Sequence, residues 1–135
     1  VMIAIDTNIL MRFLIRDDAD QYEIAADLVK ACTLDEPGFI CREVILELVW
    51  VLERSYKFNR SEVADTLIAL ISSTEFLVEA SNDIASIIPL YQNEGFGFAD
   101  LMIRQAAHLS GAKVLKTFDQ KLAKLSGVDL LGTTH

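Results

Sequence analysis

Short apolar runs alternate along this chain with segments whose apolar residues recur every three or four positions. The runs are MIAI, FIC, EFLVEA, AKVLKTF and VDLLG. Between them lie NILMRFLIR, DQYEIAADLVKAC, REVILELVWVLERSY, SEVADTLIALISS, SNDIASIIPLYQNEG, ADLMIRQAAHLSG and DQKLAKLSG, each of helical periodicity. Strands separated by helices indicate βαβ units and a mostly parallel sheet. The expected fold is therefore α/β, a three-layer α/β/α sandwich with helices on both faces of the sheet. With 135 residues and no repeat, low-complexity segment or linker, the chain reads as a single domain, residues 1–135. Local signals set several boundaries. Pro37-Gly38 marks a turn, Asn59 with Glu62 is a capping-box signature, Pro89 predicts a kink, and Gly111 ends a helix.

Ligands of such sheets sit outside the carboxyl ends of the strands. Asp6 ends the first strand, Asp119 follows AKVLKTF, and Asp100 starts a helix after the loop EGFGF. Each of the three also fits a plain helix cap, since Asp is a preferred N-cap worth about 1 kcal/mol without any ligand. Glu47 is harder to explain that way. Its neighbours at three- and four-residue spacing include Val44, Trp50 and Val51, and an ionised carboxylate is costly to bury without a partner. A solvated edge position or a pair with Arg54 is the alternative. Glu43, one turn earlier, is explained by the helix dipole.

Taken together, these residues pose an electrostatic problem. Four carboxylates about 6 Å apart repel by about 2.8 kcal/mol per pair at an effective dielectric of 20. Over six pairs the repulsion would reach roughly 17 kcal/mol, as much as a whole domain's stability of about 5–15 kcal/mol. Such a cluster must take up protons or bind cations, and all-oxygen ligation suits magnesium or manganese. The chain offers no His- or Cys-rich alternative. His108 and His135 are isolated, and Cys32 and Cys41 have no zinc-type spacing and read as buried free thiols.

A net charge of −8 opposes nonspecific nucleic-acid binding, which rests on Lys and Arg. Cation-loaded acidic residues would not repel phosphate, so charge alone does not exclude such a partner. No apolar run approaches the roughly 20 residues needed to span a bilayer. Asp6 and Arg12 interrupt the N-terminal apolar segment, which is unlike a signal peptide. The expectation is a soluble, cytoplasmic protein with no membrane partner.

IDTNIL, ELVWVL, FADLMI and KTFDQKLAKLSGV, in that order and spacing, resemble a PIN domain, and within that family the VapC-type ribonuclease toxins. The resemblance covers nearly the whole chain. It implies a divalent-metal-dependent endoribonuclease whose products carry a 5′-phosphate and a 3′-hydroxyl. It assigns Asp6, Glu47, Asp100 and Asp119 to the catalytic metal site, which would hold Mg2+ or Mn2+. Thr7 and Asn8 match polar residues beside the first aspartate, and Thr117 a hydroxyl two positions before the last. The implied partners are RNA, an antitoxin protein and a second copy of the chain in a homodimer.

Phosphate contact would need cations, for which Arg12, Arg42, Arg104, Lys116 and Lys121 lie near the motifs. Phe96 and Phe98, in a glycine-rich loop expected to be mobile, are candidates to stack on unpaired bases. Phe39, Phe76 and Phe118 lie in apolar runs and read as core. Among rivals, a phosphatase of the haloacid dehalogenase type needs Asp-x-Asp, and Asn8 stands at the third position. A phosphoacceptor receiver domain needs an aspartate on a middle strand, which EFLVEA lacks. A PIN-like module that binds without cleaving remains open.

Overall fold

A computed structural model describes residues 1–132. His135, singled out above, lies outside the described residues. The chain divides into two compact units, Val1–Ala85 and Ser86–His135.

The first unit carries β1 (Ile3–Ala4), α1 (Thr7–Leu14), α2 (Ala19–Lys30), β2 (Gly38–Ile40), α3 (Arg42–Arg54), α4 (Arg60–Ser72) and β3 (Phe76–Val78). Its strands form one parallel sheet in the order β1-β2-β3, with Ile3 opposite Gly38 and Phe39 opposite Leu77. The core is made by stripes at helical spacing: Ile45, Leu48, Val49 and Leu52 from α3, and Val63, Ala64, Leu67 and Leu70 from α4. The capping box is present at α4. Asn59 accepts from the Glu62 amide at 2.8 Å, and Glu62 accepts from the Asn59 amide at 3.0 Å. Gly38 departs from expectation. Instead of a turn residue it is the first residue of β2, and a Cβ there would come within 2.9 Å of Ile5 Cγ1. The glycine is required by close packing of β1 on β2 rather than by a bend.

The unit boundary falls within α5 (Ser81–Glu94), which carries Pro89 in its interior. The second unit continues with α6 (Phe98–Leu109), β4 (Leu115–Thr117), a 3₁₀ turn at Leu122–Lys124, and β5 (Val128–Leu130). β4 and β5 pair in parallel, with Thr117 opposite Leu130. α6 ends as expected near Gly111, whose φ of +91° few side chains tolerate.

The expected class, an α/β/α sandwich with parallel pairing, is the class observed, although the described strands form two sheets. Both cysteines are free, with Cys32 buried and Cys41 half-buried. No helix of the described residues is long and apolar enough to cross a membrane.

Candidate active site

The end of β1 dictates the site in the first unit. Asp6 is the N-cap of α1, in extended conformation, and its Oδ1 accepts from the Thr7 amide at 2.7 Å. A usual N-cap side chain reaches the second or third helical amide. Here it takes the first, and Oδ2 makes no hydrogen bond among the described residues. The capping reading is therefore only half met, and one carboxylate oxygen remains for other work.

Thr7 lies on the core-facing stripe of α1 with Leu10 and Met11 and is only 6% exposed. It is the sole buried polar residue among those described. A buried hydroxyl needs a partner, and Thr7 Oγ1 donates to Glu47 Oε1 on α3 in a short hydrogen bond. One threonine thus fixes both carboxylates, Asp6 through its amide and Glu47 through its hydroxyl.

Asp6, Thr7, Asn8, Met11, Arg12, Glu47, Val51 and Tyr56 line one open cleft of about 470 Å³. The expectation that burial makes Glu47 unusual is corrected: Glu47 is exposed, as is its neighbour Trp50. Nor is a pair with Arg54 found among the described residues; that guanidinium lies 5.8 Å from the Trp50 ring. What marks Glu47 is its bond to Thr7. Glu43 is exposed and does not line the cleft.

In the second unit, Asp119 behaves as a turn cap. Its Oδ1 accepts from the amides of Lys121 at 2.9 Å and Leu122 at 3.0 Å. Thr117 Oγ1 accepts from the Asp119 amide at 3.0 Å, which ties the two residues. Asp100 does not precede its helix. It is the third residue of α6, after the N-cap Gly97, in the first turn where the helix dipole favours a negative charge. Its Oδ2 would lie 3.0 Å from a Cβ at Gly97, so the carboxylate occupies the space that glycine leaves.

Of the aromatic expectations, the core reading holds for Phe76, which is buried, and three others are reversed. Phe96 and Phe98 are buried, Phe98 edge-on to Tyr91 at 5.6 Å, and are core rather than stacking residues. Phe118, expected in the core, is 77% exposed. The basic candidates separate as well. Arg104 is bound to Ser126 at 3.0 and 2.9 Å, Lys116 pairs with Asp129 at 3.0 Å, and Lys121 reaches Gly95 O at 3.2 Å. Arg12 lines the cleft. So does Tyr56, which no local signal singles out, since its partner Asp17 is 39 residues away in the chain.

The donors in the cleft are carboxylate, hydroxyl and amide oxygens, which suit a hard divalent cation. Among the described residues, no three His, Cys, Asp or Glu side chains are grouped to hold a metal ion. The cleft itself brings together two carboxylates, Asp6 and Glu47.

Residues 3–128 match the model of the PIN domain family, a span that runs through both units. The chain is also similar to a VapC ribonuclease of Aquifex aeolicus (strain VF5), with 28% identity over 121 residues and 90% of each chain covered.

Proposed function

The chain belongs to the PIN-domain family, and from that premise we propose that it is a divalent-metal-dependent endoribonuclease, the toxin of a toxin–antitoxin pair. The observation that carries this reading is the pairing of Asp6 and Glu47 in one cleft through a single buried threonine. A cap needs no second carboxylate, and a structural glutamate needs no cleft.

In this reading Asp6, Glu47, Asp100 and Asp119 are the catalytic acids and the metal ligands, and residues 1–135 act as one nuclease domain. The family match across both units supports this. When bound, magnesium or manganese supplies charge neutralisation at the phosphodiester and activation of the attacking water. The protein's own part is to hold oxygens in place beforehand. Asp6 spends one oxygen on the α1 amide and keeps the other for the site. Thr7 Oγ1 fixes the Glu47 carboxylate, which otherwise samples several rotamers at an exposed position. Asn8, on the cleft wall, can donate its amide to a phosphate oxygen. Thr117 holds the Asp119 turn. The proposed partners are RNA, an antitoxin and a second copy of the chain.

The test is cleavage of a labelled single-stranded RNA by the purified chain in magnesium, manganese and chelator. Metal-dependent cleavage is expected, lost in Asp6→Asn and in Glu47→Gln. The two variants should remain folded, because each loses negative charge from an acidic cleft. Wild-type rates in both variants, or full activity in chelator, would falsify the metal-nuclease reading. A chain that binds RNA but cleaves none under any condition would instead be a binding module.

A further inference from the structure

Arg12 is the one basic residue among those lining the Asp6–Glu47 cleft. It sits one turn after Asn8 on the same face of α1, and both residues line the cleft wall. Its Nη1 donates to Asp17 Oδ1 at 3.0 Å, and the two side chains are 37% and 44% exposed. The second oxygen of Asp17 accepts from the Tyr56 hydroxyl, also at 3.0 Å. Tyr56 is itself a cleft residue. Three separate segments therefore meet at one carboxylate: α1, the α1–α2 connection and the end of α3.

Asp17 engages only one of the guanidinium's five N–H donors. Nε and Nη2 make no hydrogen bond among the described residues, and these two nitrogens form the edge that binds a phosphate bidentately. Tyr56 stands just past the end of α3, two residues after Arg54. An α1–α2 tie with no other role would not need to stand on the wall of an acidic cleft. A nuclease must also hold the phosphates that flank the scissile one, which a metal at the carboxylates does not neutralise, and a fixed cation on the cleft wall can do so.

We propose that Arg12 holds a backbone phosphate of single-stranded RNA at the edge of the Asp6–Glu47 cleft, and that Asp17 and Tyr56 are positioning residues that fix its guanidinium. The inference rests on the ribonuclease reading for its substrate class, but its test reads binding and does not require cleavage. The probe is a short, fluorescein-labelled single-stranded RNA with phosphorothioate linkages, titrated by anisotropy in magnesium at several salt concentrations and checked for integrity on a gel. Arg12→Gln is expected to weaken Kd about tenfold, the lower end for a charged hydrogen bond at a half-exposed position. The slope of log K against log salt should become shallower by about 0.7, the value for one lost phosphate contact on a single strand. Arg12→Lys keeps the charge and should keep the slope while losing part of the affinity. Tyr56→Phe removes only the hydroxyl and should weaken binding a few-fold at unchanged slope, which a merely structural tie would not do. Equal Kd and slope in Arg12→Gln and wild type overturn the proposal. A loss in Arg12→Gln with none in Tyr56→Phe overturns the positioning role. Cleavage of unmodified RNA, run in parallel, decides the ribonuclease reading separately.

Discussion

Replacing Thr7 by valine keeps the volume and branching of the side chain and removes one hydroxyl. The stability cost has an upper limit set by hydrogen bonds to charged groups, about 1.5–3 kcal/mol when both partners are buried. Here only Thr7 is buried, and Glu47 is exposed, so water can replace the lost donor. The cost falls to about 1 kcal/mol or less, which lowers Tm by about 3–5 °C in a chain of this length. The effect on the site is larger. Glu47 loses its hydrogen-bond donor from α1, and removing such an orienting partner costs about 10–100-fold in metal affinity or activity. Initial cleavage rates across a magnesium titration, set beside thermal melts, separate the two effects. Thr7→Ser, which keeps a hydroxyl, should recover most of the activity. Wild-type magnesium dependence in Thr7→Val, or equal loss in Thr7→Val and Thr7→Ser, would show that the bond does not organise the site.

Gly38→Ala should destabilise by about 1–3 kcal/mol, read by urea denaturation, because its Cβ would come within 2.9 Å of Ile5 Cγ1 in the packed core. Gly97→Ala should leave stability nearly unchanged, since φ −66° and ψ 138° are open to alanine. Cleavage should fall, because the new Cβ would press on Asp100 Oδ2 at 3.0 Å. The Tyr56 hydroxyl, whose pKa is raised above its ordinary value of 10.0 chiefly by donating to Asp17, stabilises the folded chain fully below about pH 10. That contribution is lost as pH rises through the folded-state value, so Tyr56→Phe should flatten the alkaline limb of a stability–pH curve.

Elements whose signals are local were legible in the sequence. The Asn59–Glu62 box needs only a three-residue spacing, and it is present. The α3 stripe follows from 3.6-residue periodicity alone. The apolar runs locate the strands but exceed them, because AKVLKTF pairs only over Leu115–Thr117 and the pairing partner sets that limit. Phe118 and Phe98 were exchanged for a related reason. Both are aromatic residues beside apolar neighbours, and which one is covered depends on segments distant in the chain. Within the site, Asp6 and Thr7 could be read from the end of an apolar run. The reason for Glu47 could not. Its apolar neighbours suggested burial, whereas the fact that distinguishes it is a bond to a residue 40 positions earlier. The Arg12–Asp17–Tyr56 group was invisible for the same reason, since no spacing rule connects those residues.

The 40-residue separation between Thr7 and Glu47 also sets an order of events during synthesis. The N-terminal half of the cleft, Asp6 with Thr7 and Asn8, is made first. Its counterpart on α3 follows after about 2–8 s at typical rates of chain elongation. Until then Thr7 lacks the Glu47 carboxylate that it holds in the folded chain. The Asp6–Glu47 pair therefore comes into being only when α3 docks against α1.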